Sequence, residues 1–193
     1  MLLADLRSAT AGHHARVEAA MPSLEALATP AGYAAALRAL HAFHRAWEPA
    51  VWRTPGVTET VPDDRRKLPL LERDLRALGM QPLDAAPAEP ALGDAAAALG
   101  ALYVLEGATL GGRVILRRVA APLGVTAGRG AAYYHGYGEE TGARWKEFGR
   151  ALSAFAEATG RGGAVVAGAV ACFAGLETWL AVPGTLPPAP PSP

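Results

Sequence analysis

Apolar residues recur at steps of three and four positions along most of the chain, which is the spacing of an amphipathic helix. Alanine, leucine, arginine and glutamate dominate and β-branched residues are sparse, so intrinsic helix propensity agrees with this pattern. The sequence therefore predicts an all-α fold. Its caps and breakers predict helices over about 3–20, 30–49 or a few residues beyond, 62–79, 91–121, 139–158 and 163–180.

Prolines mark several of these boundaries. Thr29 followed by Pro30 is typical of a cap residue and the first helical position. Pro69 lies inside the third predicted helix and should kink or shorten it, because proline has no N–H and its ring clashes with the preceding turn. The final V-P-G-T-L-P-P-A-P-P-S-P has too many prolines and too few apolar anchors to pack. We expect one domain over 1–182 and a disordered tail over 183–193.

Composition narrows the class of protein. A chain of 193 residues is long enough to bury most of its apolar surface in a single core. The 18 basic residues balance 18 acidic ones, which argues against nucleic acids and other polyanions as partners. Cys172 is the sole cysteine, so an internal disulfide and a cysteine-ligated zinc site are excluded.

Targeting and membrane signals are weak. Asp5 and Arg7 interrupt the apolar N-terminus well short of a secretory signal. The apolar stretch 164–182 is mostly Ala, Gly and Val and contains Glu177, which favours a buried helix over a membrane span. We find no glycine loop of the kinds that bind nucleotides. The expectation is a cytoplasmic protein with no membrane role.

Two adjacent histidines on the first predicted helix are candidate metal ligands. Helical counting puts His14 on the inward face, with His13 beside it. Glu18, four residues further on, could accept a hydrogen bond from one ring nitrogen of His14 and leave the other free for a metal. Arg7 lies two turns earlier on the same side, about 10 Å away. A core histidine bonded to a neighbouring carbonyl is the simpler alternative, and these residues alone favour it.

A glycine cluster interrupts the longest predicted helix, in L-Y-V-L-E-G-A-T-L-G-G. Gly107, Gly111 and Gly112 each cost about 1 kcal/mol relative to alanine in a helix interior, so something must offset this loss. Gly107 and Gly111 share one face, and Tyr103 and Gly100 continue that line. Either another helix packs closely on this strip or a flat ligand lies on it. The spacing does not choose between the two.

Basic and aromatic residues alternate in Y-Y-H-G-Y-G-E-E-T-G-A-R-W-K-E-F-G-R. Lys146 and Arg150 are four residues apart, so they project together and could bind carboxylates from one side. The alternative, which this stretch favours when taken alone, is a solvated basic face that pairs with nearby glutamates.

One ligand would use all three features. Heme is a flat apolar disc whose iron takes an imidazole and whose propionates pair with cations. The segment L-R-S-A-T-A-G-H-H-A-R-V-E resembles the start of the heme oxygenases. The resemblance implies that His14 is the proximal iron ligand, that Glu18 is its acidic partner and that Arg7 contacts a propionate.

The same resemblance extends over about residues 3–180. The segment Y-V-L-E-G-A-T-L-G-G-R-V is similar to the distal helix of the family, whose kinked glycines press on the macrocycle. This implies distal roles for the backbone of Gly107 and Gly111, and heme contacts for Tyr103 and Gly112. R-W-K-E-F-G-R aligns with a helix whose basic residues hold propionates, here Lys146 and Arg150. Y-V-L-E-G-A-T-L-G-G and G-Y-G-E-E-T-G-x-x-W look most like the bacterial heme oxygenases associated with bacteriophytochromes.

One position departs from the family pattern. Ala108 stands where many heme oxygenases carry a distal aspartate that anchors the water network for proton delivery. Glu106, Thr109 and Arg113 are candidates to replace it, although helical spacing puts none of them on the stripe of Gly107.

The resemblance implies an enzyme with heme b as both cofactor and substrate. We expect it to use O2 and external electrons to open heme to biliverdin, with the IXα isomer as the family default, and to release CO and Fe2+. A ferredoxin or reductase is expected as the donor, because the chain has no flavin or nicotinamide motif. A bacteriophytochrome is a candidate acceptor of biliverdin. The alternatives are a heme carrier or sensor without turnover, suggested by Ala108, and a helical interaction protein without heme.

Overall fold

The computed structural model describes residues 1–186, and this part of the chain is helical throughout, with no β-strand. Its α-helices are α1 (Leu2–Ala20), α2 (Leu24–Leu27), α3 (Pro30–Arg53), α4 (Val57–Thr60), α5 (Leu68–Ala77), α6 (Ala95–Leu123), α7 (Ala132–His135), α8 (Thr141–Thr159) and α9 (Gly162–Leu180). Two short 3₁₀ turns span Asp63–Arg65 and Gly138–Glu140. The predicted all-α class is confirmed.

Each long helix was predicted, and the differences occur at the ends. The third predicted helix is shorter than expected, because α5 begins at Leu68 and places Pro69 in its first turn, where a missing N–H costs nothing. The Thr29 hydroxyl accepts a hydrogen bond from Gly32 N, so the predicted cap is present. Helix α3 continues through Pro49 to Arg53. The one-turn helices α2, α4 and α7 were not predicted.

Helix α6 lies at the centre of the fold and packs along α9, which in turn packs against α1. The two central backbones touch, because a Cβ on Gly100 would lie 2.1 Å from Val165 O and a Cβ on Gly168 would lie 2.3 Å from Ala97 O. Both helices are long and apolar enough to cross a membrane by length and composition, a property that central helices of a protein core share. About half of each apolar stretch is buried against the rest of the molecule.

The core has two parts. The larger part joins α1, α3, α6, α8 and α9, and the smaller one joins α3, α5, α7 and the end of α6. After α9 the chain turns back through Pro183–Leu186, where Thr185 is buried and Leu186 packs on the larger part. The folded chain thus continues to Leu186, past the predicted boundary at 182. The rest of the predicted tail, 187–193, lies outside the described residues.

Candidate active site

A cavity of about 770 Å3 separates α1 from α6, and residues of α3, α7, α8 and α9 complete its wall. This volume falls within the range of cofactor and small-molecule sites. The wall contains seven of the residues singled out in the sequence: Arg7, His14, Glu18, Tyr103, Gly107, Ala108 and Gly111. Helix α1 supplies the polar side chains, whereas α6 supplies backbone and small residues.

The two histidines of α1 have different surroundings. His13 Nδ1 donates a hydrogen bond to Glu177 Oε1 over 2.6 Å, and Arg16 Nε donates to the other oxygen of the same carboxylate over 2.8 Å. The pKa of Glu177 is lowered, chiefly by the hydrogen bond from Arg16 and further by the one from His13. His13 therefore ties α1 to α9 through its hydrogen bond to Glu177, and it does not line the cavity.

His14 lines the cavity and keeps 60% of its side chain accessible. Its Nδ1 lies 3.4 Å from Glu18 Oε2, one turn further along α1. The edge of the His14 ring meets Phe173, with the ring centroids 6.0 Å apart. A core histidine would be buried, so this alternative is excluded for His14. With Nδ1 turned toward Glu18, Nε2 is the nitrogen available to a ligand.

Arg7 of α1 and Tyr103 of α6 both line the cavity. Burial raises the pKa of the Tyr103 hydroxyl, and a hydrogen bond with Thr10 and the positive charge of Arg7 partly offset this increase. Arg7 is exposed, and within residues 1–186 no carboxylate pairs with it. This guanidinium is therefore available to an anionic group of a ligand.

The sequence left two explanations for the glycines of α6, which are close helix packing and a flat ligand. Different glycines match different explanations. A Cβ on Gly111 would meet nothing within 4 Å, and one on Gly107 would only reach the Trp145 ring at 3.8 Å. Both positions open into the cavity. Gly100 instead gives close helix packing, as described above for α9.

Gly112 also serves packing, and the expectation that it contacts heme stays a prediction. It is buried and does not line the cavity. A Cβ at this position would lie 2.6 Å from Tyr134 O and 3.1 Å from Tyr134 Cα, so a side chain would push α7 away from α6.

The basic pair on α8 is not part of the cavity wall. Lys146 and Arg150 are both exposed, and within the described chain neither forms an ion pair. Their neighbour Trp145 does line the cavity, where its ring centroid is 5.5 Å from that of Tyr103. The expectation that Lys146 and Arg150 hold propionates stays a prediction.

The three candidates to replace the distal aspartate lie outside the cavity wall. Glu106 is buried and accepts hydrogen bonds from Arg65 and Lys67, each over 2.6 Å. Thr109 donates to the backbone oxygen of Glu106, and Arg113 points to solvent. Ala108 itself does line the cavity, so α6 supplies no acidic group there.

Sequence reasoning missed the polar residues on the α7 side of the cavity. Tyr133 and Tyr134 both line it and are 3% and 2% exposed. The Tyr133 hydroxyl lies 3.3 Å from His44 Nε2, and His44 Nδ1 lies 3.1 Å from Glu48 Oε2. The available signals were the spacing of His44 and Glu48 by one helical turn and the doubled tyrosine.

A helical protein that holds one accessible imidazole opposite a helix of small residues has the features of a heme-binding protein. The heme oxygenase family model matches residues 1–181. The chain is 41% identical to a heme oxygenase of Xanthomonas campestris pv. campestris over 117 residues, which is 61% of this chain and 68% of that protein. The chain belongs to the heme oxygenase family, and it is an enzyme of heme cleavage.

Solved structures show the same fold. The NO- and CO-bound heme oxygenase of Neisseria meningitidis superposes with a TM-score of 0.78 at 22% identity, covering 93% of this chain and 90% of that one. The heme oxygenase of Leptospira interrogans superposes with a TM-score of 0.68 at 16% identity, covering 93% and 98%. The resemblance seen in the sequence is thus confirmed for family and fold.

Proposed function

We propose that heme binds in the cavity between α1 and α6 with His14 as the axial ligand of its iron, and is opened there to biliverdin, CO and Fe2+. The observation that carries this assignment is the contrast between the two histidines. His13 is held by Glu177, whereas His14 faces the cavity with Nε2 free and Nδ1 near Glu18. A carboxylate on the far nitrogen fixes the tautomer that a ligating histidine needs.

The residues present fit a heme. The cavity has the volume of a cofactor site, and its wall is mainly apolar and aromatic, including Tyr103, Trp145 and Phe173. When bound, heme would supply both the metal that reacts with O2 and the ring that is oxidised.

The α6 side of the cavity leaves room for O2. Gly107 and Gly111 carry no side chain and Ala108 carries only a methyl group, so the backbone of α6 forms this wall. Small residues at these positions would leave space for O2 beside a bound ring without a steric clash.

Cations around the cavity are proposed to set the rotation of heme in its plane. Arg7 lies in the wall, and Lys146 and Arg150 project from α8, next to Trp145. Charge-assisted bonds to the two propionates would decide which meso carbon faces the α6 wall. We propose cleavage at the α position.

Electrons are proposed to come from a ferredoxin or a reductase that docks near the exposed heme edge. Charge complementarity would speed this transient encounter. We further propose that the reaction takes place in the cytoplasm and that a bacteriophytochrome accepts the biliverdin.

Titration with hemin tests the ligand assignment. We expect wild-type protein and His13→Ala to give the same Soret band, because His13 does not reach the cavity. His14→Ala should weaken and shift that band, because the iron loses its axial imidazole. Equal loss in both variants would refute the assignment of His14.

Turnover is tested by adding a reductant to the heme complex in air. The expected result is loss of the Soret band and growth of the red absorbance of biliverdin. A heme complex that persists without forming biliverdin would contradict the proposed reaction while leaving heme binding intact.

A further inference from the structure

The α7 side of the cavity carries a buried chain of acid and base groups that the roles above do not use. We infer that Tyr133 delivers protons to the oxygen that reacts in the cavity, and that His44 and Glu48 supply and position them. The inference rests on the proposed function, because that function provides the reacting oxygen. It assigns to α7 and α3 a task that Ala108 of α6 cannot perform.

The chain is continuous from the cavity into the core. Tyr133 lines the cavity, and its hydroxyl lies 3.3 Å from His44 Nε2. His44 is 2% exposed, and its Nδ1 lies 3.1 Å from Glu48 Oε2. Both ring nitrogens of a buried histidine are therefore engaged, one by a hydroxyl and the other by a carboxylate.

Glu48 fixes the tautomer of His44. Burial raises the pKa of the Glu48 carboxyl, but hydrogen bonds from His44 and from the backbone N–H groups of Lys67 and Leu68 outweigh it, and the net pKa is lowered. The two amides donate to Glu48 Oε2 over 2.8 and 3.0 Å. An ionised Glu48 accepts a hydrogen bond, so His44 Nδ1 carries the proton and Nε2 is left to exchange one with Tyr133.

This arrangement allows Tyr133 to donate a proton into the cavity and to receive one from His44, so that no free phenolate forms. When His44 carries a second proton, Nε2–H donates to the Tyr133 oxygen and the Tyr133 O–H is free to point into the cavity. As the O–H bond of Tyr133 breaks toward the reacting oxygen, the Nε2–H bond breaks and that proton restores the hydroxyl. Burial raises the pKa of Tyr133, which keeps it a phenol before and after the transfer. His44 ends neutral beside the carboxylate of Glu48, and it regains its proton from a hydronium ion of the cavity water by the reverse exchange through Tyr133 before the next transfer.

A second hydroxyl at the same wall supports a polar occupant there. Tyr134 lines the cavity and is 2% exposed, and its hydroxyl has no hydrogen-bond partner within residues 1–186. A buried hydroxyl left unpaired is costly, so a ligand oxygen or a water in the cavity is its expected partner. Glu106 is not available for this purpose, because Arg65 and Lys67 occupy its carboxylate.

Tyr133→Phe tests the inference because it removes one oxygen atom and keeps the ring. We expect biliverdin formation to slow about 100-fold, the lower end of what a lost general acid costs, while hemin affinity is unchanged. The matched control is Tyr33→Phe, since Tyr33 is a buried tyrosine that donates to Gly130 O and lies outside the cavity wall. We expect the control to turn over heme at the wild-type rate.

NMR of 15N-labelled histidine in the heme-free protein gives a readout independent of activity. The Nε2 resonance of His44 should shift in Tyr133→Phe and stay in place in Tyr33→Phe. Wild-type turnover by Tyr133→Phe, a loss of turnover that follows a loss of hemin affinity, or an unshifted Nε2 resonance would each overturn the inference. If wild-type protein forms no biliverdin, the proposed function fails, and the NMR comparison still decides whether the link to His44 exists.

Discussion

Single residues of α6 differ in what a methyl group would meet at each position. Gly112 touches the backbone of Tyr134, whereas its neighbour Gly111 faces open space. The sequence shows the same residue type at both positions, so it cannot separate a packing glycine from a cavity glycine. Whether a glycine of α6 packs or borders the cavity depends on which part of the molecule lies opposite it.

Alanine at these two neighbouring positions should act in opposite directions. In heme-free protein we expect Gly111→Ala to raise the free energy of unfolding by about 1 kcal/mol, through helix propensity alone. Gly112→Ala should lower it by about 1–3 kcal/mol, because its Cβ overlaps the Tyr134 backbone. Urea denaturation followed by circular dichroism measures both values. Changes of the same sign would contradict the assignment.

Among the helices, α8 places its side chains in three different surroundings. Phe148 packs in the core, Trp145 lines the cavity, and Lys146 and Arg150 face solvent. Its helical period was readable from the sequence, but the direction of each long cationic side chain toward a ligand was not. This is why the propionate contacts remain a matter for experiment.

The double variant Lys146→Ala, Arg150→Ala should change the ratio of biliverdin isomers, because heme could then rotate more freely in its plane. Chromatography of the product measures the ratio. The control is Arg73→Ala with Arg76→Ala, two exposed arginines of α5 away from the cavity. An isomer ratio equal to that of the control would remove the steering role of the α8 pair.

Helix α7 and its position could not be predicted from the sequence. It has a single turn, too short for a periodic apolar pattern, and its position comes from α5. The buried carboxylate of Asp74 accepts hydrogen bonds from the N–H groups of Ala132 and Tyr133, over 2.7 and 2.8 Å. Contacts between groups 58 and 59 residues apart leave no local signal, so the doubled tyrosine was visible in the sequence but its position at the cavity was not.

For the whole molecule, the sequence predicted the long helices well because their apolar stripes are strong and their caps are standard. His14, Glu18 and Arg7 were singled out together because they share one face of one helix, and all three line the cavity. Buried charge was not predicted, since Arg65 and Lys67 belong to residue types that are seldom fully buried. Their partners come from distant helices, and only the folded chain brings them together.

The free energy of unfolding should depend on pH in the acid range, and part of this dependence should come from Glu48. Its folded pKa is lowered from 4.5, so its contribution to stability is present above pH 4.5 and is lost as the pH falls through the folded pKa. We expect Glu48→Gln to cost about 1.5–3 kcal/mol at pH 7, because hydrogen bonds to a charged group are lost. The variant should also lose less stability than wild type on acidification.

Urea denaturation between pH 7 and pH 3.5 measures this difference, with the exposed Glu157→Gln as the control. Glu177, whose pKa is also lowered, adds to the acid dependence in every variant. Burial raises the pKa of Asp74, so its contribution runs the other way and is lost as the pH rises through the folded pKa. An acid slope in Glu48→Gln equal to that of wild type would contradict the role assigned to Glu48.

The backbone contacts at Gly100 and Gly112 also bear on how the product leaves. They fix α6 at two points twelve residues apart, about 18 Å along the helix axis. Gly107, Ala108 and Gly111 lie between them, on the stretch that borders the cavity. With both points held, the stretch between them can move aside for a departing product only if α6 bows. Gly107 and Gly111 lower the cost of that bowing because glycine has a low helix propensity, so this wall of the cavity is easier to deform than a stretch of alanines would be.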